Sequence, residues 1–116
     1  MLKLMLLVRR KSGMTAEAFR EHYETVHAPL ALANMTGLKR YVRNYTVPVP
    51  GQPEPAHDCV TEMWFADQAS LTATMAWMHS DAGKVLSADE ELFMDRSSMT
   101  AFRVEETETA PAAHGA

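Results

Sequence analysis

The feature that most constrains the fold is the first segment, Leu2 to Arg9, which is apolar on both sides of a strand. Successive side chains in a strand point to opposite faces, so both faces of this strand need cover. A strand of this kind is typical of the centre of a sheet. Leu4, Leu6 and Val8 form one face, and Met5 and Leu7 form the other.

A helix is predicted directly after this strand. Thr15 is a good N-cap, and Met14 can pack against Phe19 across the cap. Pro29 is expected to end or kink the helix, because proline lacks the N–H that an interior position donates. Helical spacing places four side chains on one face, namely Phe19, Tyr23, Val26 and His27.

The later segments complete a β-α-β-β-α-β order. Leu38–Val47 carries several cations and is typical of an edge strand. Cys59–Phe65 is mostly apolar and is predicted to be central. The rest is a second helix capped by Asp67, a broken and partly helical stretch over 81–95, and a last strand over Met99–Glu106.

This order predicts an α+β domain with an antiparallel sheet and the split β-α-β arrangement of ferredoxin-like proteins. Right-handed crossover puts both helices on one face of the sheet. The other face is then bare, although the first strand is apolar on both sides. An exposed apolar sheet face is an association site, so we expect a homodimer joined through the sheet faces.

The length of 116 residues fits one domain, which we assign to residues 1–106. Residues 107–116 have no periodic apolar positions and are expected to form a disordered tail that folding does not need. The loop Pro48–His57 is rich in proline. We expect it to lie at the mouth of a ligand pocket.

Composition excludes several classes of partner. The net charge of −4, with both signs mixed along the chain, argues against nucleic acid and anionic membranes. No segment approaches the roughly 20 apolar residues of a membrane span, and Met1–Val8 does not resemble a signal peptide. Cys59 is the only cysteine. It is expected to pack as a small hydrophobe, and a cytoplasmic location is expected.

Two residues are the main candidates for chemistry. His27 near the end of the first helix is either a proton-transfer group or a structural ring that caps the helix end. Glu62 lies in an apolar strand and is a buried carboxylate that is raised in pKa or paired, an ion-pair partner of Arg43 or Arg103, or a residue exposed on an incompletely covered face.

Other side chains are candidates for substrate binding. Tyr41 and Tyr45 share a strand face and either bind a substrate or pack. Arg40, with Arg43 and Arg103, either holds a carboxylate or is solvated. Trp64 and Phe65 are interpreted first as core or interface residues. No metal-ligand spacing, glycine-rich phosphate loop, dinucleotide fingerprint or G-x-S-x-G elbow occurs, so neither metal nor cofactor is expected.

An ordered set of short motifs resembles the EthD family. It consists of Phe19–Tyr23, His27–Leu30, Gly37–Tyr41 and Glu62–Phe65, followed by Asp89, Glu90, Phe93 and Asp95. The resemblance covers about residues 2–104 and implies the dimeric α+β barrel superfamily. The chain is also similar to methylmuconolactone methylisomerase, a cofactor-free enzyme of that group. The histidine aligned with His27 is thought to transfer protons there.

The resemblance and the residues together give a first functional hypothesis. It is a cofactor-independent lyase or isomerase acting on a small aromatic or lactone-like metabolite by dehydration, decarboxylation or rearrangement. His27 would be the general acid/base. Tyr41, Glu62 and Arg40 would orient the substrate or stabilise an enolate, beside Tyr23 and apolar walls from Trp64, Phe65 and Met75. The alternatives are a cofactor-free quinol-type oxygenase and a non-catalytic binding or accessory protein.

Overall fold

The structure, a computed structural model, describes residues 1–113. Its strands and helices follow the predicted order, with an additional helix in each half. The strands are β1 (Leu2–Val8), β2 (Leu38–Tyr45), β3 (Cys59–Phe65) and β4 (Thr100–Val104). The helices are α1 (Ala16–His22), α2 (Ala28–Asn34), α3 (Gln68–Met78) and α4 (Lys84–Phe93), with a π-helical segment at Tyr23–His27 and a 3-10 turn at Arg96–Ser98.

The four strands form one antiparallel sheet in the order β2-β3-β1-β4. The apolar strands β1 and β3 are central, and the more polar β2 and β4 are the edges. This is the ferredoxin-like α+β fold, and it confirms the fold class predicted from the strand patterns.

The register shows which face of each strand the helices cover. Leu4 pairs with Met63, and both side chains are buried in the core. Met5 pairs with Glu62 on the opposite face, where side chains are only partly buried. Because paired residues point to the same side, the uncovered face can be read across all four strands. Its apolar members are Met5, Leu7, Val42, Val60, Trp64, Phe102 and Val104, and we call it the open sheet face.

Pro29 does not end the first helix, which was one of the two outcomes predicted for it. The chain stays helical through α2, and a π-helical segment separates α2 from α1. In that segment the Ala28 N–H donates to the Tyr23 carbonyl, the wider i→i+5 pattern. Pro29 then falls in the first turn of α2, where a missing N–H costs little.

The π segment also changes which side chains face the sheet. Phe19, Tyr23 and His27 are all buried, as their spacing predicted. These three residues are spaced four apart, which is more than the 3.6 residues of one α-helical turn. In a regular α-helix their side chains would therefore shift progressively around the helix axis. The wider turn reduces this shift. Val26, expected on the same face, is 44% exposed instead.

The second half contains two regular helices. Asp67 caps α3 as predicted, because its side chain accepts a hydrogen bond from the Ser70 N–H at 2.8 Å. The stretch expected to be broken contains the ten-residue helix α4. Its inward stripe has the spacing i, i+3, i+4, i+7 and combines two apolar with two acidic residues: Leu86, Asp89, Glu90 and Phe93.

Both segments predicted to be irregular lack helix and strand in the part of the chain that the structure describes. The loop 48–57 packs beside residues 9–14 and lines a separate open groove there. Residues 107–113 of the expected tail are exposed coil, and residues 114–116 lie outside the described part of the chain. Cys59 is fully buried, and burial raises the pKa of its thiol to about 11, so it packs as an inert hydrophobe. Within residues 1–113, no helix has the length and apolar character to cross a membrane.

A carboxylate on the helical layer is tied to the edge strand β2. Arg43 donates from Nε and Nη2 to the two carboxylate oxygens of Glu24, at 2.9 and 2.8 Å. The Tyr45 hydroxyl also donates to this carboxylate. The Arg43 bonds, despite some burial, lower the pKa of Glu24 to about 2. This ion pair fixes the π segment against the sheet.

We predict that acid weakens the fold through Glu24. Its pKa is depressed in the folded state, so its stabilisation is complete above its ordinary value of 4.5 and is lost as pH falls toward 2. Glu24→Gln should lower the free energy of unfolding at pH 7 by about 1 kcal/mol, since this group is more than a third exposed. Denaturant unfolding at pH 7 and pH 3 measures the effect.

The control for this prediction is Glu21→Gln, which removes an exposed carboxylate from α1. It should leave stability unchanged at both pH values. If Glu24→Gln is as stable as the parent at pH 7, the ion pair contributes nothing and the prediction is wrong.

Candidate active site

A cavity of about 250 Å³ lies between the helix-covered face of the sheet and the helical layer. Its walls are mainly apolar, and methionine is the commonest lining residue type. The methionines are Met35, Met63, Met75, Met78, Met94 and Met99. Polar side chains enter from one helical segment, one strand and the α4 region, namely Tyr23, His27, Tyr41, His79, Ser87, Glu90 and Arg96.

His27 is held by a carboxylate on the opposite helix. Its Nδ1 lies 2.8 Å from Oδ2 of Asp89, and the other oxygen of Asp89 lies 3.0 Å from Nε2 of His22. Both His27 and Asp89 are buried. Since a carboxylate accepts hydrogen bonds, Nδ1 of the neutral His27 ring carries the proton, and Nε2 keeps its lone pair.

The free nitrogen of His27 opens into the cavity. In residues 1–113, every side-chain nitrogen or oxygen that is fully enclosed has a hydrogen-bond partner. Nε2 of His27 has no such partner there, and the residue lines the cavity, so this atom faces the cavity space. Burial lowers the pKa of His27, only partly opposed by the hydrogen bond and charge of Asp89. The ring is therefore a neutral base at pH 7.

Two tyrosine hydroxyls lie beside the histidine. The Tyr41 hydroxyl donates to the Tyr23 hydroxyl at 3.3 Å, and the Tyr23 hydroxyl lies 2.7 Å from Oγ1 of Thr61. The Tyr23 and His27 rings meet edge to face at 5.5 Å. Burial raises the pKa of Tyr41 to about 12. Tyr41 thus stays protonated, and its hydroxyl can turn from the Tyr23 oxygen to donate a hydrogen bond to a ligand.

The structure brings together four of the predicted site residues and separates the others. His27, Tyr23, Tyr41 and Met75 line the cavity. Phe65 does not line the cavity, because it points into the core beside Leu71 and is fully buried.

The expectation that Arg40, Glu62 and Trp64 share a site with His27 is wrong. Strand alternation places all three on the open sheet face, so the sheet separates them from the cavity. Arg40 and Trp64 stack there, with the guanidinium 4.5 Å from the ring centre.

Glu62 is an ion-pair residue, but its partner differs from the two expected. Lys3 Nζ lies 3.0 Å from one carboxylate oxygen, and Asn44 donates to the other at 2.8 Å. The hydrogen bond from Asn44 and the contact with Lys3 lower the pKa of Glu62, although partial burial opposes them. A buried proton donor would instead have a raised pKa. Lys3 also binds Glu106. Arg43 faces the helices and binds Glu24, and Arg103 donates to Gln68.

Asp89 and Glu90 were not among the predicted site residues. The sequence pattern that could have identified them is the pair of acidic residues between Leu86 and Phe93. These positions face inward, where an amphipathic helix usually carries apolar side chains. Among residues 1–113, no group of three or more His, Cys, Asp or Glu side chains could hold a metal ion.

The ferredoxin-like sheet and its helical layer define a small α+β domain in which a buried histidine–carboxylate pair faces an apolar cavity. The EthD domain family model matches residues 11–97, which include His27, Tyr41 and Asp89. The chain therefore belongs to the EthD domain family. No curated protein matches the sequence.

Solved structures share the fold. An ethyl tert-butyl ether D (EthD) family protein from Bacillus halodurans C-125 is 27% identical, with a TM-score of 0.68 over 92% of this chain and 100% of that chain. An EthD-like protein from Ralstonia eutropha JMP134 is 16% identical, with a TM-score of 0.68 over 90% and 89%. A dimeric ferredoxin-like protein from Thermobifida fusca YX is 14% identical, with a TM-score of 0.61 over 89% and 88%.

We predict that Asp89 raises the pKa of His27 and so offsets part of the decrease caused by burial. Asp89→Asn should lower the pKa of His27 further, because it removes the hydrogen bond and charge that oppose burial. His22→Gln should raise this pKa slightly, because the charge of His22 lowers it. Ring ¹⁵N shifts measured by NMR across pH report both the pKa and the tautomer. A His27 pKa at or above 6.5 in the parent protein would contradict this account.

Proposed function

We propose that this protein is a cofactor-independent proton-transfer enzyme, a lyase or isomerase, acting on a small aromatic or lactone-like molecule. The observation that carries the proposal is the buried His27–Asp89 pair whose free nitrogen faces an apolar cavity. A neutral imidazole oriented by a carboxylate is a general base suited to neutral pH.

The tyrosines supply the complementary electrostatic function. When a proton leaves a carbon next to a carbonyl, negative charge develops on the oxygen and needs a hydrogen-bond donor. Tyr41 lines the same cavity as His27 and keeps its proton. We propose that its hydroxyl turns from the Tyr23 oxygen to donate to that oxygen, and that Tyr23, accepting from Thr61, then donates to Tyr41 and positions it.

The size of the cavity suits a ligand with about one ring. Its volume of about 250 Å³ falls just below the roughly 300–1,000 Å³ typical of small-molecule sites. Thioether sulfurs make favourable contacts with aromatic rings, and the lining is rich in methionine. We therefore propose a compact, flat and mostly apolar substrate with a few oxygen atoms.

The test is carbon-bound hydrogen exchange. The protein is incubated in D₂O with unsaturated lactones and phenolic acids, and deuterium incorporation and turnover are followed by NMR. We predict exchange with at least one compound, and His27→Gln should slow it roughly a hundredfold to ten-thousandfold. The variant loses the Nδ1 hydrogen bond to Asp89, so its melting temperature should fall, and exchange is measured well below that temperature, where the protein is folded.

The control is His57→Gln, which changes a histidine outside the cavity. It should exchange at the parent rate. Oxygen consumption during turnover would favour a quinol-type oxygenase instead. Ligand binding without exchange or turnover would favour a non-catalytic binding protein, and a fully active His27→Gln would contradict the proposed base.

We also propose that the protein functions as a homodimer joined through the open sheet face. That face carries a row of apolar side chains, including Met5 and Trp64, that no helix covers. Contiguous exposed apolar surface of this kind marks an interaction site. Similar ferredoxin-like structures are described as dimeric.

We predict that Phe102→Glu weakens this dimer strongly, because it would bury an unpaired charge in the interface. Phe102 is 41% exposed on the open sheet face. The matched control is Leu92→Glu on α4, where the side chain is 61% exposed. Sedimentation at micromolar concentration should show a dimer for the parent and the control and a monomer for Phe102→Glu. A monomeric parent protein would contradict the proposed assembly.

A further inference from the structure

Glu90 is a buried carboxyl group that the proposed base mechanism does not use. The residue is 4% exposed, lies on the inward stripe of α4 and lines the cavity with His27. Its carboxyl group makes no hydrogen bond within residues 1–113, and the nearest cation is Arg96, whose Nε lies 3.5 Å from Oε1. Arg96 is held more closely by exposed Glu91, at 2.9 Å.

The cavity therefore contains a carboxyl group open to the ligand space. Fully enclosed oxygen atoms in this part of the chain all have hydrogen-bond partners, and those of Glu90 have none, so they reach the cavity space. Glu90 also lies close enough to Tyr41 for its charge to be one of the smaller causes that raise the Tyr41 pKa. An apolar residue at this helix position would pack at no electrostatic cost, so a carboxyl group here indicates a chemical role.

We infer that Glu90 is a second catalytic residue of this cavity, a general acid that donates its proton to the ligand while Nε2 of His27 accepts one. The inference rests on the proposed function. Burial raises the pKa of Glu90 while it lowers that of His27. Environments that move a carboxyl and an imidazole in these opposite directions bring their pKa values together, which suits an acid–base pair.

The step is balanced in protons and electrons. The proton on a ligand carbon moves to Nε2, the C–H electron pair forms a new π bond, and the bond to the leaving oxygen breaks. That oxygen takes the proton of Glu90 and leaves as a hydroxyl group or as water. The protein is left with a His27 imidazolium and a Glu90 carboxylate, and water at the cavity mouth returns the proton from one to the other.

The experiment uses two aromatic probes whose ring opening depends to different degrees on an acid that protonates the leaving oxygen. A base opens the ring of 1,2-benzisoxazole by removing the C3 proton, which forms a nitrile and a phenolate. In 5-nitrobenzisoxazole the nitro group stabilises the phenolate, so its protonation matters little. The released cyanophenols are followed by absorbance across pH, for the parent protein and for the variants Glu90→Gln, His27→Gln and Glu17→Gln.

We expect Glu90→Gln to slow benzisoxazole opening by roughly a hundredfold and 5-nitrobenzisoxazole opening far less. His27→Gln should slow both probes alike, and Glu17→Gln, which removes an exposed carboxylate, should slow neither. A structural loss in Glu90→Gln would slow both probes equally, and that result would overturn the inference. If only Glu90→Gln matters and His27→Gln is fully active, the proposed base is wrong. A parent protein that opens neither probe overturns both proposals.

A second measurement does not depend on turnover. The carboxyl ¹³C signal of Glu90, assigned by its loss in Glu90→Gln, should titrate above the ordinary glutamate pKa of 4.5. If it titrates at that value, Glu90 has no proton to donate at neutral pH, and the inference is overturned while the His27 proposal stands.

Discussion

The Asp89 carboxylate connects the two halves of the helical layer. Its oxygens lie 2.8 Å from His27 and 3.0 Å from His22, so it joins α4 to the first helical segment through two hydrogen bonds. A buried carboxylate is tolerated only when such partners compensate its lost hydration. The π segment belongs to the same arrangement, since it turns Phe19, Tyr23 and His27 toward α4 and the sheet. The cavity is the space left between these fixed elements and β1.

Much of the fold could be predicted from local patterns, because alternation in β1 and β3 and the caps at Thr15 and Asp67 act within a few residues. The open sheet face followed from the same alternation. The continuation of the helix past Pro29 could not be predicted, because a single π turn is too short to produce a recognisable periodicity in the sequence. Glu62 was placed wrongly because the strand pattern does not show which face the helices cover. His27 was identified by type and position, whereas its partner Asp89 lies 62 residues away and is brought close only by the fold.

The two faces of the sheet have separate roles in the proposed function. The covered face carries Tyr41 and Met63 of the cavity, and the open face carries the Lys3–Glu62–Asn44 cluster and Trp64. Neighbouring residues of one strand therefore contribute to different functions. Substitutions in the centre of β3 should therefore have different effects on alternate residues. Changes at Met63 should affect ligand fit, and changes at Glu62 should affect subunit contact.

The methionine lining has an evolutionary consequence. Unbranched thioether side chains with three rotatable bonds take many shapes at similar energy, so the outline of the cavity depends on rotamers more than on the backbone. The histidine, its carboxylate and the tyrosines are instead held by hydrogen bonds to other elements. Under the proposed function, such a division would let one scaffold exchange one substrate for another by single side-chain changes, with the proton chemistry inherited intact.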